Sequence, residues 1–240
     1  MLTAAGLVSA QVPAKPPNNL DTDPHLVGWW TFDEKSGTEL KDSSAQKHAG
    51  VLEGGATLEA CSVPGRIGTA LKFDGKEACV RIPNYKGVTG QNPRTVALWL
   101  KTTAQSGDLV TWGSDEAGKR FNFCFFRSRV GVVPKGGYLY MNAPVHDGQW
   151  HHVAVVVHEA SPPNLHDNVK LYKDGDRAEI GDIGLLDLWP IDTGDKLEVR
   201  IGRRFNGIID DVRIYDRALT EDEITTLFRP EKARPLTQAR

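Results

Sequence analysis

The sequence predicts an all-β protein: one antiparallel β-sandwich with one short C-terminal helix. Its 240 residues suit a single sandwich, a fold that commonly takes about 200 to 250 residues. Short β-type runs separated by turn residues recur from Leu26 to about Arg213. The 24 glycines and 14 prolines exceed the roughly 12% combined share that is usual in proteins, and they supply the turns.

The composition excludes several classes of protein. Hydrophobic residues make up 40% and charged residues 25%, as in a globular protein and unlike a disordered or coiled-coil chain. The net charge of −2 argues against a nucleic-acid binder, which needs a strongly basic face. No run approaches the roughly 20 apolar residues needed to span a bilayer.

The first predicted strands are Leu26–Phe32, Gly50–Leu52, Ala70–Phe73 and Ala78–Ile82. Asp74-Gly75 separates the last two and predicts a hairpin, because both residues tolerate the positive φ of a type I′ turn.

The later strands include two central ones, Thr95–Leu100 and Trp150–Val157, whose apolar residues would cover both faces. Val169–Ile180 is interpreted as a strand, an Asp174-Gly175 turn and a second strand. The remaining predicted strands are Phe121–Phe126, Tyr138–Met141, Leu197–Ile201 and Gly207–Tyr215.

The helix is predicted directly after the last strand. Thr220 and Glu223 have the spacing of a capping box, Leu219 and Ile224 that of a hydrophobic staple, and Pro230 ends the segment.

The predicted domain covers residues 25–229. Residues 1–24 are interpreted as a signal-peptide remnant and a proline-rich linker, and residues 230–240 as a flexible tail. We therefore expect an exported protein, whether periplasmic, at the cell surface or secreted; a merely flexible N-terminal tail is the alternative.

Cys61 and Cys79 either form one disulfide or stay free thiols, and Cys124 lies in an apolar run.

Four blocks carry a resemblance to a known family: Gly28–Gly37 with Asp42–Ser44, Gly68–Gly75, Asp147–Ala154, and Gly202–Leu219 with Glu223-Ile224. In this order they closely resemble the laminin-G-like, concanavalin A-like lectin and glucanase jelly rolls of exported bacterial proteins. The resemblance implies a jelly-roll sandwich. It does not fix a ligand, because the fold also hosts polysaccharide hydrolases, adhesion modules and spacers.

The resemblance also implies a structural Ca²⁺ ion. Asp210 in the final strand would be a ligand, with Asp33 as its N-terminal partner and backbone carbonyls near Gly50. Asp210 alternates with Ile208, Val212 and Ile214, so it is expected to point toward an apolar face, where a carboxylate needs a cation or several donors. The alternative is an arginine partner or backbone N–H groups.

By the same resemblance a glycan would stack on aromatic side chains. Trp29, Trp30, Trp99 and Trp150 lie in predicted strands and are expected in the core. The candidates for a ligand platform lie in or beside less patterned segments, and the alternative for each is partial packing: Trp112, Trp189, Tyr85 and Tyr138.

Other polar groups give weaker signals. Retaining glycosidases of this fold carry Glu-x-Asp-x-x-Glu on a strand, and the comparable string Asp174–Glu179 starts in a turn. His151 and His152 would face opposite sides of a strand and cannot chelate one metal together. A basic set would attract acidic polysaccharide only if its members cluster: Lys119, Arg120, Arg127, Arg129, Arg200, Arg203 and Arg204.

Together these observations favour a non-catalytic binding module for carbohydrate. A structural or protein-interaction module, with a cell-surface protein as partner, is the alternative, and a glycoside hydrolase comes third.

Overall fold

The structure, a computed structural model, describes residues 19–126, 128–184 and 190–229. Its strands form two sheets packed face to face. The eight-stranded sheet contains β1 (Leu26–Trp30), β4 (Ser62–Pro64), β5 (Thr69–Asp74), β7 (Arg94–Lys101), β12 (Trp150–Val157), β13 (Val169–Lys173), β14 (Asp176–Arg177) and β17 (Asn206–Tyr215). The nine-stranded sheet contains β2 (Glu39–Leu40), β3 (Gly50–Glu53), β6 (Cys79–Arg81), β8 (Gly107–Gly113), β9 (Arg120–Phe126), β10 (Arg129–Val132), β11 (Tyr138–Met141), β15 (Ile180–Gly184) and β16 (Leu197–Ile201).

The pairing is antiparallel, which confirms the predicted fold class. The eight-stranded order is β14-β13-β12-β7-β17-β5-β4, with β1 also on β17, and the nine-stranded order is β15-β11-β10-β9-β8-β16-β6-β3-β2. Strand β7 lies between β12 and β17, so the prediction of two central strands is confirmed. Among the described residues, no helix has the length and apolar character to cross a membrane.

The core lies on both sides of the eight-stranded sheet. Val96, Leu98 and Leu100 of β7 point between the sheets into the larger apolar cluster. Ala97 points outward into a second cluster, which includes Tyr215. Both faces of β7 are therefore buried, as the apolar run predicts.

Helix α3 (Glu221–Phe228) covers the outer side of the eight-stranded sheet. The predicted capping box is present, with Thr220 and Glu223 exchanging side-chain and backbone hydrogen bonds. Leu219 and Ile224 are both buried in the outer cluster, so the staple pair contributes to the packing. Two single-turn helices, α1 (Leu58–Cys61) and α2 (Leu165–Asn168), were not predicted.

The two Asp-Gly turns differ. Asp174-Gly175 joins β13 to β14 as a hairpin, as predicted, with φ values of 52° and 88°. The hairpin prediction for Asp74-Gly75 is wrong, because β5 belongs to the eight-stranded sheet and β6 to the nine-stranded sheet. This turn carries the chain from one layer to the other, and the Gly75 N–H donates to the Phe205 carbonyl at 2.9 Å.

The last residues of the predicted linker are folded. A 3-10 turn spans Leu20–Thr22, and the Leu20 side chain is buried in the outer cluster. Asp21 accepts a hydrogen bond from Arg213 at 2.7 Å. Residues 1–18 of the predicted leader and the predicted tail 230–240 lie outside the described residues. Cys61 and Cys79 are free thiols, so the disulfide alternative is not realised.

Candidate binding face

The outward side of the nine-stranded sheet carries a group of stacked aromatic rings. The ring centroids of Phe126 and Tyr140 are 5.4 Å apart at an interplanar angle of 11°. Those of Tyr138 and Tyr140 are 5.1 Å apart at 21°. Phe126 is 42% exposed, an unusual state for a phenylalanine. Tyr138 is half-buried and Tyr140 is 1% exposed, so Phe126 and Tyr138 present the stack to solvent and Tyr140 supports it from within. We call Phe126, Tyr138 and Tyr140 the aromatic surface.

Strand alternation and two glycines create this surface. Leu139 and Met141 of β11 point into the core. Because side chains alternate along a strand, Tyr138 and Tyr140 point outward. A Cβ at Gly131 on β10 would lie 2.5 Å from Tyr140 Cδ1, and one at Gly184 on β15 would lie 2.0 Å from Tyr138 Cζ. The glycines therefore leave room for the two rings to lie across neighbouring strands.

A polar groove of about 260 Å³ lies on the same sheet. Its lining includes Lys86, Thr111, Arg120, Leu197, Arg200 and Arg203. Three members of the predicted basic set are thus brought together here, but their charges are matched by carboxylates. Arg200 binds Glu53 at 2.6 Å, Arg203 binds Asp108 at 2.6 Å and Arg120 binds Asp115 at 3.2 Å.

Glu53, the partner of Arg200, stays ionised. Burial raises the pKa of Glu53, but hydrogen bonds from Arg81 and Arg200 outweigh it and hold the pKa below its usual value. The groove is therefore a set of ion pairs and not a cationic field. Two buried atoms, Arg120 Nε and Asn122 Oδ1, have no hydrogen-bond partner among the described residues, which leaves a donor and an acceptor on the outward side of β9.

The predicted metal ligands Asp33 and Asp210 meet at one loop. Asp210 Oδ2 accepts the Ile67 N–H at 2.9 Å, and Asp33 Oδ1 accepts the Thr69 N–H at 3.0 Å. Both carboxylates thus bind the backbone of residues 67–69. Asp210 is fully buried, and its Oδ1 has no partner in the described part of the chain.

Asp210 faces away from the apolar interior, contrary to the alternation argument. Asp211 has a φ of +48° and forms a bulge, so Ile209 and Val212 both point into the inner core. Asp210 pairs with Trp99 and lies on the outer side of the sheet. Burial raises its pKa to about 8, and the neighbouring Asp211 and Asp33 charges add to the rise.

Gly50 lies elsewhere, in β3 of the other sheet. It pairs with Leu40, and a Cβ at this position would meet Val80 and Ile82. The structure therefore brings two of the three predicted metal-site residues together and places the third among apolar side chains. No group of three or more His, Cys, Asp or Glu side chains suited to a metal ion occurs among the described residues.

The predicted ligand aromatics separate into different environments. Trp112 is 1% exposed, stacks on Phe121 at 4.2 Å and donates from Nε1 to the Val88 carbonyl at 3.0 Å, so it packs in the core, and it is also among the residues that line the groove. Tyr138 belongs to the aromatic surface. Tyr85 is buried against His48 at the edge of a separate cleft. Trp189 lies outside the described residues.

The two adjacent histidines face opposite sides of β12, as predicted. His151 contacts Asp174 at 2.8 Å and Asp147 at 3.1 Å, and these contacts join two turns. His152 packs against the Trp99 ring, with a centroid distance of 5.3 Å. Asp174, the first carboxylate of the glycosidase-like string, thus has a structural partner in the hairpin.

Sequence reasoning missed Phe126 and Tyr140, because the runs that contain them were interpreted as strands without assigning faces. The alternation in Tyr138–Met141 was the available signal: two aromatic residues share the parity opposite to Leu139 and Met141.

Comparisons with known proteins agree with this architecture. A family model described as the concanavalin A-like lectin/glucanases superfamily matches residues 74–225. A comparison with characterised protein sequences gave no match. Domain 4 of AbnA, a GH43 extracellular arabinanase from Geobacillus stearothermophilus solved with arabinotriose, is similar with a TM-score of 0.63 at 21% identity, over 85% of this chain and 98% of that domain.

Two toxin structures are similar at lower identity. The binding domain of Paraclostridial Mosquitocidal Protein 1 has a TM-score of 0.55 at 16% identity, over 85% of this chain and 52% of that one. The botulinum neurotoxin serotype D ligand binding domain with N-acetylneuraminic acid has a TM-score of 0.52 at 13% identity, over 85% and 50%. This chain spans about half the length of those toxin chains, and the likeness shows the fold. Since the family match covers more than half of the sequence, the chain belongs to the concanavalin A-like lectin/glucanases superfamily.

Proposed function

We propose that the protein is a non-catalytic carbohydrate-binding module and that the glycan lies across the nine-stranded sheet. The observation that carries the proposal is the aromatic surface, three stacked rings that include an exposed Phe126. Sugar rings present C–H faces that pack on aromatic rings, while their hydroxyls need polar partners. The adjacent groove supplies polar side chains, Lys86, Arg120 and Arg200 among them.

The charge pattern favours a neutral glycan. Each groove arginine already binds a carboxylate, so an anionic polysaccharide would have to compete with Glu53, Asp108 and Asp115 for the same guanidinium groups. Hydroxyl groups can bind beside an intact ion pair. Two similar structures were solved with a saccharide, the neutral arabinotriose in the arabinanase domain and the acidic N-acetylneuraminic acid in the neurotoxin domain. Both support a saccharide ligand, and the first supports a neutral one.

The test is a pair of substitutions at one ring. Tyr138→Ala should weaken retention on a neutral polysaccharide affinity gel about tenfold, because the stacking area is lost. Tyr138→Phe keeps the ring and should bind like the unaltered protein. Equal retention of Tyr138→Ala, Tyr138→Phe and the unaltered protein would show that the glycan binds elsewhere. An absence of retention on every glycan tested would overturn the proposal and favour the protein-interaction module.

We also propose a structural Ca²⁺ ion at Asp33 and Asp210. The support is the buried Asp210 Oδ1 without a partner and the convergence of both carboxylates on residues 67–69. Hard oxygen ligands suit calcium, and backbone carbonyls commonly complete its shell. Such an ion would fix the turn before β5 to the final strand.

Calcium binding should raise the melting temperature relative to a chelator, because the ion binds the folded state alone. We expect Asp210→Asn to melt at the same temperature in both conditions. Asp192→Asn, which changes a half-buried ion pair with Lys119, is the control and should keep the calcium response. A midpoint of the unaltered protein that does not move with calcium would refute the site.

A further inference from the structure

A cleft of about 560 Å³ lies apart from the aromatic surface, at one end of the sandwich. We call it the end cleft. Strand β1, the turn of residues 42–48, the loop of residues 82–93 and the residue after β17 form its walls. The segment 85–88 separates it from the groove, since Lys86 lines the groove while Tyr85 and Gly87 line the cleft.

One wall of the end cleft is a preformed aromatic stack. The His48 and Tyr85 rings lie 4.1 Å apart at 12°. The His48 backbone is held at both ends, because its N–H donates to Asp42 at 2.8 Å and its carbonyl accepts from Trp30 Nε1 at 3.0 Å. The stack therefore needs little reorganisation to receive a ligand.

The part of the loop that follows Tyr85 along the cleft is also held in place. The fully buried Arg94 guanidinium donates to the carbonyls of Val88, Gly90 and Asn92 and to Thr193. One side chain thus fixes the backbone of residues 88–92. A wall built in this way is a formed site and not a gap between mobile loops.

The polar groups at the cleft suit hydroxyls. Gln46 and Asn92 are exposed, and Asp216 presents a carboxylate that His25 holds at 2.7 Å. The Asn92 amide nitrogen donates to the Thr89 carbonyl at 2.9 Å, which orients its amide oxygen as an acceptor. The Tyr85 hydroxyl is buried without a partner among the described residues. Burial raises the pKa of Tyr85, so the phenol stays protonated and remains a donor.

We propose that the end cleft is a second binding site and that it takes one or two neutral sugar units. An aromatic wall, two amides and a carboxylate match a polyhydroxylated ring, and the volume falls in the range of small-ligand pockets. Neither lysine nor arginine is among the described residues that line the cleft, which disfavours phosphate or sulfate groups. The ligand class rests on the proposed function. The position of the site and its contacts are inferred from the residues that line the cleft.

The test separates the two sites. In a Phe126→Ala/Tyr138→Ala variant, in which the aromatic surface is removed, neutral di- and trisaccharides of pentoses and hexoses, arabinotriose among them, are titrated while side-chain amide NMR signals are followed. We expect the Gln46 and Asn92 signals to shift with at least one saccharide. Gln46→Ala/Asn92→Ala should then weaken that binding about tenfold, as expected for two lost hydrogen bonds.

The matched control is Gln91→Ala, which removes an exposed amide that does not line the cleft and should leave the binding unchanged. Failure of both amide signals to shift with any saccharide overturns the second site. Binding that persists unchanged in Gln46→Ala/Asn92→Ala also overturns it. The proposed function fails differently, through unaltered glycan binding when Tyr138 is replaced by alanine.

Discussion

His152 is a neutral imidazole held in an apolar environment. It packs against the rings of Trp99 and Phe228, with centroid distances of 5.3 Å and 6.3 Å. Its Nδ1 atom has no hydrogen-bond partner in the described chain. Burial lowers its pKa to about 4, because the charged form would lose its hydration there.

This burial predicts a loss of stability in acid. Between pH 6.5 and 4 the unfolded chain binds a proton at His152 that the folded chain does not, so the free energy of unfolding falls as the pH falls. From pH 7 to pH 5 the loss from this residue is about 2 kcal/mol. Urea unfolding of His152→Leu should lack this part of the pH dependence.

The same change at an exposed histidine serves as the control. His166→Leu, at a side chain 60% exposed, should keep the pH dependence of the unaltered protein. If the free energy of unfolding falls by the same amount from pH 7 to pH 5 in His152→Leu and in His166→Leu, His152 is not the titrating group.

Asp211 shows why residue orientation on the last strand could not be predicted. Its positive φ inserts one residue, so Asp210 and Asp211 share the outer side while Ile209 and Val212 share the inner side. Trp29 Nε1 donates to Asp211 at 2.6 Å and Arg213 binds it at 3.0 Å, and these contacts stabilise the bulge. Trp29 is 182 residues away along the chain and meets Asp211 only when the sheet forms. Arg213 follows Asp211 by two residues, and its position depends on the bulge itself. Alternation alone therefore assigned Asp210 to the wrong face.

At the scale of elements, α3 is the part that local sequence predicted best. Its cap depends on Thr220 and Glu223, three residues apart, and its packing on Leu219 and Ile224. These signals are all local.

The Asp-Gly turns show the opposite case, because the same dipeptide makes a hairpin at Asp174-Gly175 and a layer crossing at Asp74-Gly75. The choice depends on which sheet each flanking strand joins, and that is a long-range property.

Loss of the helix cap should destabilise the protein. Thr220→Ala removes the acceptor for the Glu223 N–H and should lower the free energy of unfolding by about 1 kcal/mol. Thr226→Ala is a matched control within the helix, where the hydroxyl only donates back to the Asp222 carbonyl. It should change stability by less than Thr220→Ala in the same thermal unfolding experiment. An equal effect of the two substitutions would show that the cap contributes nothing.

The whole molecule gives its two sheets different roles. The outer side of the eight-stranded sheet is covered by α3 and by the segment around Leu20. The outward side of the nine-stranded sheet carries the aromatic surface and the groove. The sequence predicted the sandwich but not this division. Tyr138 and Trp112 look alike as aromatic residues near turns, and only the pairing of the strands decides that one is stacked on the surface and the other is in the core.

The covering layer should be cooperative with the sandwich, and a truncation tests this. A chain that starts at His25 is compared with one that starts at Asn19. The shorter chain loses the buried Leu20 side chain and the Asp21 and Asp23 partners of Arg213 and Arg217. Burial of one leucine contributes about 2 kcal/mol, and a buried cation left without one of its partners adds to the loss. We expect a melting temperature lower by about 10 °C for the chain starting at His25. Equal melting temperatures would show that residues 19–24 rest on the sheet without stabilising it, and the outer cluster would then depend on α3 alone.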